Sequence, residues 1–238
     1  MARKPLQPLG GVPLVVRVWE RVRCIAAIEE VVVATDAPEV RAEVERVGGR
    51  VVMTSTRHQS GTDRVAEVAR QGEFGCFEVI VNVQGDEPFL PREAVERSIA
   101  RVRGGDDVGT AAVPVDPDTA LDPARVKVVT DSRGRALYFS RARIPFIREP
   151  AEDVATGAYW QHLGVYAYGR TALFRWVDAP PGELERLERL EQLRALDLGF
   201  SIGVARLTEP ALPGIDTPDD LARAERHWTA FAMGDTTR

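Results

Sequence analysis

Two acidic motifs, far apart in the sequence, carry side chains that suit divalent-cation chemistry. Asp86 lies in residues 84–88 (QGDEP), directly after an apolar β-branched run, and Asp216 lies at a predicted helix start. Two carboxylates brought together without a cation would repel each other, and one pKa would rise. A Mg²⁺ ion between them removes that penalty and can hold a triphosphate. Because an Asp before Thr-Pro is also a common helix cap, both roles stay open for Asp216.

A third motif, residues 58–64 (HQSGTDR), favours the binding of a phosphate or a base. Ser60 and Gly61 offer a hydroxyl and backbone donors, and Arg64 can reach a phosphate or a base edge. The alternative is an ordinary capped helix start. Lys4 is another candidate phosphate contact, and the alternative for Lys4 is a solvated terminal charge.

A fourth group combines His162 and Tyr166 with Glu191 and Gln192. His162 and Tyr166 are four residues apart on a predicted strand, so both side chains lie on one face. Such a polar face suits a polyhydroxylated acid, although an antiparallel strand with one wet side gives the same pattern. His58 and His162 are candidate general bases, but their scatter and the lack of a Ser or Cys nucleophile pattern argue against a catalytic triad.

The elements that must position these residues alternate between strands and helices. Strands are predicted at residues 31–34, 51–53, 79–83, 108–115, 126–130, 135–139, 162–168 and 202–207. Helices are predicted at residues 12–28, 38–47, 62–71, 92–103, 183–198 and 217–231. This alternation predicts an α/β fold with a doubly wound, mostly parallel sheet and a small antiparallel insertion, in one domain over residues 1–238. Ligands of such sheets bind at the carboxyl ends of the strands, which is where Asp86 lies.

Composition narrows the function classes. The 238 residues are 44% hydrophobic, enough for a sizeable core, and the net charge of −5 argues against a general nucleic-acid binder. No apolar run has membrane-spanning length and no signal-peptide pattern is present, so we expect a cytoplasmic protein without a membrane partner. Only Lys4 and Lys127 among the 31 basic residues are lysines, a bias that we attribute to genome composition. Cys24 and Cys76 lack metal-ligand spacing, and Cys24 is expected to be a reduced core residue.

Taken together, these segments resemble the 3-deoxy-manno-octulosonate cytidylyltransferase family. The matching stretches run in family order from Lys4 to about Leu221: VVVATD, HQSGTDR, VNVQGDEP, VKVV, ALYFSRARIP, HLGVYAYG, LERLEQLR and GIDTPDDL. The resemblance implies a nucleotide-diphospho-sugar transferase-like fold and a homodimer. It also implies transfer of CMP from CTP to 3-deoxy-D-manno-octulosonate (KDO), an acidic eight-carbon sugar, with Mg²⁺ and release of pyrophosphate. The product would serve lipopolysaccharide biosynthesis.

The resemblance further implies a role for each candidate residue. Asp86 and Asp216 would bind Mg²⁺ and, with Lys4, form the catalytic group. The nucleotide-binding residues would be Lys4, Ser60, Gly61, Arg64 and Gln84. The KDO-binding residues would be Gln84, Arg141, His162, Tyr166, Glu191 and Gln192, with Arg141 as the partner of the KDO carboxylate. Residues 125–170 would form an insertion for dimerisation and sugar binding, with the hairpin and residues 136–145 at the dimer interface.

Two alternatives to this function remain. One is a cytidylyltransferase for another acidic sugar or an alcohol, and the other is a non-catalytic nucleotide- or sugar-binding relative. Family members open with a hydrophobic strand and a loop that ends in Pro-Gly-Lys-Pro-Leu, whereas only residues 3–6 (RKPL) match that loop here. We therefore expect either a start upstream of Met1 or an impaired enzyme, and the gene sequence upstream in frame would decide between them.

Overall fold

The computed structural model describes residues 3–58, 60–148, 157–212 and 214–234. The chain divides into two compact units, each built from segments that are distant in sequence. The first unit comprises Met1–Val68, Gln84–Leu90 and Leu212–Arg238, and the second comprises Ala69–Val83 and Pro91–Ala211. Across the described ranges, no helix combines the length and apolar character needed to cross a bilayer.

The first unit contains two short strand pairs and the helices that flank them. Its strands are β1 (Pro8–Leu9), β2 (Val12–Pro13), β3 (Val32–Thr35) and β4 (Arg50–Met53). Its helices, numbered along the chain, are α1 (Leu14–Val22), α2 (Pro38–Arg46), α3 (Gly61–Ala69, whose last residue belongs to the second unit) and α8 (Pro218–Gly234). Strand β1 runs antiparallel to β2, and β3 runs parallel to β4.

Helix α1 buries the apolar face that the sequence predicts. The buried residues are Leu14, Val15, Val16, Val18, Trp19 and Val22. The helix begins later than predicted, because Val12 pairs with Leu9 as a strand. It also ends earlier, at Val22, so Cys24 lies in the turn that follows the helix. The prediction that Cys24 is a core residue is therefore wrong: both Cys24 and Cys76 are exposed free thiols.

An apolar cluster holds three segments of the first unit together. Its buried members are Leu9, Leu14, Phe89, Ile215 and Ala224, and Leu221 and Trp228 pack against it. These residues come from the N-terminal segment, from residues 84–90 and from the start of α8. In addition, the backbone N–H of Ile215 donates to the carbonyl oxygen of Asp86 at 3.0 Å. The packing and this hydrogen bond bring the two acidic motifs side by side.

The second unit is built on a six-stranded sheet. Its strands are β5 (Val79–Val83), β6 (Val108–Val115), β7 (Lys127–Thr130), β8 (Ala136–Ser140), β9 (Tyr159–Gly169) and β10 (Ile202–Arg206). Its helices are α4 (Arg92–Arg103), α5 (Arg170–Asp178), α6 (Glu183–Glu188) and α7 (Gln192–Asp197). The strand order is β10-β6-β9-β7-β8, and β5 also pairs with β9.

The strand pairings of this sheet are mixed. Strands β10 and β6 are parallel, whereas β9 is antiparallel to β5, β6 and β7. The predicted hairpin is confirmed: β7 and β8 are antiparallel, and Gly134 in the connecting turn has a φ of 74°. In the part of the chain that the structure describes, β3 pairs only with β4 and β5 only with β9.

The prediction of one helix over residues 183–198 is wrong, because the structure has two helices there. Helix α6 ends at Glu188, and Arg189 adopts a left-handed conformation with a φ of 55°, which breaks the helix. The Arg194 guanidinium then donates to the Glu185 carboxylate at 2.7 and 2.5 Å, which ties α7 back to α6.

Replacing Ile215 by Ala should lower the free energy of unfolding by about 2–5 kcal/mol, because the substitution opens a cavity in the apolar cluster. The Ile215 side chain is only 1% exposed. Leu212→Ala is the matched control, since Leu212 is 39% exposed and should cost less than about 0.5 kcal/mol. Urea denaturation of both variants tests this. Equal stability losses would contradict the role of Ile215 as the centre of the cluster.

Candidate functional site

One ammonium group joins the two acidic motifs. Lys4 lies in a short 3₁₀ turn, and its Nζ contacts the Asp86 carboxylate and, at 2.7 Å, Oδ1 of Asp216. Burial by itself would lower the pKa of Lys4, but hydrogen bonds to Asp216 and Asp86 outweigh burial and raise the pKa above its ordinary value. The two carboxylates predicted from the sequence to act together therefore lie within reach of a single cation.

At the start of α8, the residues that cap the helix are distinct from the carboxylate that pairs with Lys4. The Thr217 hydroxyl accepts the backbone N–H of Asp220 at 3.1 Å, and the Asp220 carboxylate accepts the backbone N–H of Thr217 at 2.8 Å. This reciprocal pair is a capping box. Because Thr217 supplies the cap, the carboxylate of Asp216 can pair with Lys4, which resolves the alternative that the sequence left open.

A third carboxylate, that of Glu87, lies at this site and has no role among the sequence predictions. Burial raises the pKa of Glu87 to about 7, the nearby charges of Asp86 and Asp216 add to this rise, and Lys4 opposes it. A Cβ on Gly214 would lie 2.9 Å from Glu87 Oε1, so glycine at that position leaves room for this carboxylate. The signal for Glu87 was present in the Asp-Glu pair of QGDEP, directly before the buried segment Pro88–Leu90.

The donors at this site fit a magnesium ion. Asp86 and Asp216 supply hard carboxylate oxygens, and both already pair with one cationic group. Among the described residues, no group of three or more His, Cys, Asp or Glu side chains could hold a metal ion. Mg²⁺ usually binds one or two carboxylates and completes its shell with waters and substrate phosphates, so two protein ligands suffice.

Arg64 of the HQSGTDR motif lies at the edge where two parallel strands of the first unit end. Arg64 donates to the Thr54 hydroxyl and, at 3.1 Å, to the Asp36 carboxylate. Asp36 directly follows β3, and Thr54 directly follows β4. The Ser60 hydroxyl accepts the N–H of Asp63 at 3.1 Å and so caps α3, although its own O–H can still donate to a ligand. The sequence analysis did not identify Asp36 and Thr54. The signal for both is a position just after a predicted strand: Thr54 directly follows the strand at 51–53, and Asp36 is the second residue after the strand at 31–34.

The other nucleotide-site candidates and His58 also lie in the first unit. Gly61 is the first residue of α3, and Gln84 is exposed. His58 pairs with the Glu67 carboxylate, which also accepts the backbone N–H of Ser55 at 3.0 Å. The hydrogen bond from Ser55, together with that from His58, lowers the pKa of Glu67. His58 therefore serves to hold the segment that precedes α3.

In the second unit, His162 and Tyr166 are neighbours, as predicted, with ring centroids 5.3 Å apart. The Thr110 hydroxyl lies 2.9 Å from His162 Nε2 and donates to the Val165 carbonyl at 2.7 Å. Since a hydroxyl has one proton to donate, Thr110 must accept from His162, and Nε2 carries the proton. Burial lowers the pKa of His162 to about 3, so the ring is neutral and a weak base at neutral pH.

Arg141 lies directly after β8, where its guanidinium donates to the backbone carbonyls of Glu188 at 2.8 Å, Pro123 at 3.1 Å and Arg189 at 3.3 Å. A guanidinium has five N–H donors, and these contacts use three of them among the described residues. The other two match the number that a bidentate carboxylate contact requires. The role of Arg141 toward a carboxylate therefore stays a prediction that the geometry permits.

The last two sugar-site candidates lie at the start of α7. Glu191 precedes this helix, and Gln192 is its buried first residue. Burial raises the pKa of Tyr166 well above its ordinary value, and the charges of Tyr168 and Glu191 add to the rise. Glu191 thus lies near Tyr166, and Tyr166 in turn is the neighbour of His162.

Comparison with known proteins finds similar sequences along most of the chain. The Cytidylyltransferase family matches residues 1–202. The chain is 55% identical over 231 residues to a 3-deoxy-manno-octulosonate cytidylyltransferase of Gemmatimonas aurantiaca, covering 96% of this chain and 89% of the relative. It is 44% identical to the enzyme of the same name from Idiomarina loihiensis, covering 94% of this chain and 91% of that protein.

Solved structures confirm the predicted α/β nucleotidyltransferase fold. The structure of CMP:2-keto-3-deoxy-manno-octonic acid synthetase complexed with CTP matches with a TM-score of 0.89 and 36% identity, over 97% of this chain and 93% of that chain. A 4-diphosphocytidyl-2C-methyl-D-erythritol synthase from Anaerococcus prevotii matches with a TM-score of 0.60 and 14% identity, over 94% of this chain and 93% of that chain. This second likeness concerns the fold alone.

The buried neutral His162 should make the protein less stable in mild acid. Its pKa of about 3 in the folded chain lies below the ordinary 6.5, so between these values only the unfolded chain binds the proton. Stability that is complete above pH 6.5 should therefore fall by about 1.4 kcal/mol per pH unit below it.

The matched variant for this test is His162→Gln, which can keep the hydrogen bond to Thr110 but does not titrate. Urea denaturation at pH 7.5, 5.5 and 4.5 should show a steeper loss of unfolding free energy for the wild type than for the variant. Parallel pH profiles would contradict a neutral, buried His162.

Proposed function

The chain belongs to the 3-deoxy-manno-octulosonate cytidylyltransferase family, and from this premise we propose how its residues transfer CMP from CTP to KDO with release of pyrophosphate. The observation that carries the mechanism is the contact of one ammonium, that of Lys4, with both Asp86 and Asp216. One positive and two negative groups of the first unit are therefore in direct contact.

The reaction requires positioning and charge neutralisation rather than a protein nucleophile. The anomeric hydroxyl of KDO attacks the α-phosphorus of CTP in line with the departing pyrophosphate. A bound Mg²⁺ would neutralise phosphate charge and lower the pKa of a coordinated hydroxyl. Asp86 and Asp216 would hold that ion. Lys4 contributes a further positive charge toward the triphosphate, because its raised pKa keeps the ammonium protonated.

The nucleotide is assigned to the edge of the first unit where β3 and β4 end. Arg64 is held there by Asp36 and Thr54 and can face a phosphate or the base. Ser60 donates its O–H, Gly61 allows close approach of backbone, and Gln84 reaches the ribose or the sugar.

The sugar is assigned to the polar group of the second unit. The two remaining N–H donors of Arg141 bind the KDO carboxylate. Neutral His162, Tyr166, Glu191 and Gln192 bind sugar hydroxyls. Since His162 is a weak base, its role is to bind and orient rather than to remove a proton.

We further propose that the protein is a homodimer that acts in the cytoplasm, where CTP is made. Support for the dimer comes from large apolar side chains on and after the hairpin, because Leu137 is 62% exposed and Phe146 is 84% exposed. Both lie within residues 125–170, the segment predicted to dimerise, and burial of apolar surface against a second copy would be favourable there. A second copy of the chain would cover both residues.

The proposed function is tested by pyrophosphate release from CTP with Mg²⁺ and a panel of acidic sugars and alcohols. We expect release that depends on KDO. Release with another acceptor only would favour a related cytidylyltransferase, and binding of CTP without release would favour a non-catalytic relative.

Asp86→Asn should lower kcat for KDO-dependent pyrophosphate release by about a hundredfold or more, because a neutral amide binds Mg²⁺ weakly and leaves transition-state charge unbalanced. Asp219→Asn is the matched control, since Asp219 is an exposed carboxylate in the first turn of α8. The control should retain kcat within about twofold. Equal rates for wild type and Asp86→Asn would contradict the assignment.

Phe146→Asp should convert the dimer into monomer, because a charged side chain cannot be buried in an apolar interface without a partner. Sedimentation velocity at micromolar concentration measures this. Leu187→Asp is the control, since Leu187 is 73% exposed on α6 and outside the hairpin segment. A monomeric wild type, or a variant that stays dimeric, would refute the proposed interface.

A further inference from the structure

Lys127 is a buried lysine to which the proposed function gives no role. It is the first residue of β7, and its side chain is fully buried. The chain uses arginine for almost all of its 31 basic residues, and Lys127 is one of two lysines. An ammonium is a compact charge with three donors on one atom, whereas a guanidinium is planar and wider. The surroundings of Lys127 show why a lysine suits this position.

Three backbone carbonyls surround the ammonium of Lys127. Its Nζ donates to the carbonyl oxygens of Asp122 at 3.0 Å, Arg125 at 2.6 Å and Arg141 at 2.6 Å. All three N–H donors of the ammonium are therefore used. A guanidinium could not direct three donors from one atom to these acceptors.

The charge of Lys127 is balanced mainly by these carbonyl dipoles. Within the described ranges, no carboxylate forms a salt bridge with it. The pKa of Lys127 is lowered, mainly by burial and also by the charge of Arg141. The more distant carboxylates of Asp122 and Glu188 only partly oppose this change. A buried charge of this kind is costly unless all of its hydrogen bonds are made, so the carbonyl cage must be well ordered.

The cage also fixes the backbone of Arg141. Lys127 holds the Arg141 carbonyl, and the Glu188 carboxylate accepts the Arg141 backbone N–H at 3.0 Å. The Arg141 guanidinium in turn donates to the carbonyl of Pro123, inside the segment that Lys127 binds at residues 122 and 125. The side chains of Lys127 and Arg141 thus both donate hydrogen bonds to backbone carbonyls of residues 122–125.

We propose that Lys127 is a positioning residue for the acidic sugar: it fixes the backbone of Arg141, so that the two remaining guanidinium donors are already aligned for the KDO carboxylate. This inference rests on the proposed function, in which Arg141 binds that carboxylate. Because alignment before binding lowers the cost of ordering the site, Lys127 acts on the affinity for KDO and not on that for CTP.

The test is the KM of each substrate in Lys127→Met, measured by pyrophosphate release. Methionine keeps the apolar stem but removes the three donors. KM for KDO should rise roughly tenfold or more, while KM for CTP should stay within about twofold. A purely structural role would instead reduce the amount of active enzyme and leave both KM values unchanged.

A double-mutant cycle tests whether Lys127 acts through Arg141. Arg141→Met should raise KM for KDO at least as much as Lys127→Met, and the double variant should be no worse than Arg141→Met alone. If the fold increases in KM for KDO of the two single variants multiply in the double variant, Lys127 acts independently of Arg141 and the inference is overturned.

Arg135→Met is the matched control, because it also replaces a cationic side chain of the hairpin by methionine. Its guanidinium donates to the Asp106 carboxylate at 2.7 Å, so stability should fall while both KM values hold.

If Lys127→Met does not fold, Lys127→Gln, which retains two donors, must show the same separation of the KM values. A wild type without KDO-dependent release would refute the proposed function, whereas an active wild type with an unchanged KM for KDO in Lys127→Met would refute only the role of Lys127.

Discussion

The candidate catalytic centre depends on packing that holds together groups which would otherwise separate. Asp86 and Asp216 are like charges, and repulsion opposes their approach. Each lies within three residues of a buried apolar residue of one cluster, Phe89 for Asp86 and Ile215 for Asp216. Lys4 lies five residues before Leu9, a member of the same cluster. Hydrophobic burial therefore supplies the free energy that brings the three charged groups together.

The hydrogen bond from Ile215 N–H to the Asp86 carbonyl adds direction to this packing. Apolar contacts are not directional, whereas a backbone hydrogen bond sets how one loop lies against the next. Thr217 then caps α8 and leaves the Asp216 carboxylate to pair with Lys4. Ile215 of the cluster, Asp216 of the charged centre and Thr217 of the cap are thus consecutive residues.

Much of the fold could be predicted because local patterns agree with long-range packing. Helix α4 has the predicted bounds, and the turn at Gly134 and the burial of α1 follow from glycine placement and apolar spacing. The break at Arg189 could not be predicted, since apolar residues continue through it and its stability depends on the ion pair between Arg194 and Glu185.

The candidate site was predictable to a similar extent. The motifs identified Lys4, Asp86 and Asp216, and the structure brings these three together. The partners of Lys127 could not be found from sequence, because its three acceptors are backbone carbonyls, which every residue carries. Cys24 was misassigned because α1 ends at Val22, two residues before it, and a side chain beyond the end of a helix does not share the buried face of that helix.

Asp86 and Asp216 are proposed to act as one unit in cytidylyl transfer. The most direct measurement is kcat for KDO-dependent pyrophosphate release in Asp86→Asn, Asp216→Asn and the double variant. If the carboxylates share one function, the double variant is no slower than the slower single variant. Rate losses that multiply in the double variant would show that the two carboxylates work independently and would contradict this account.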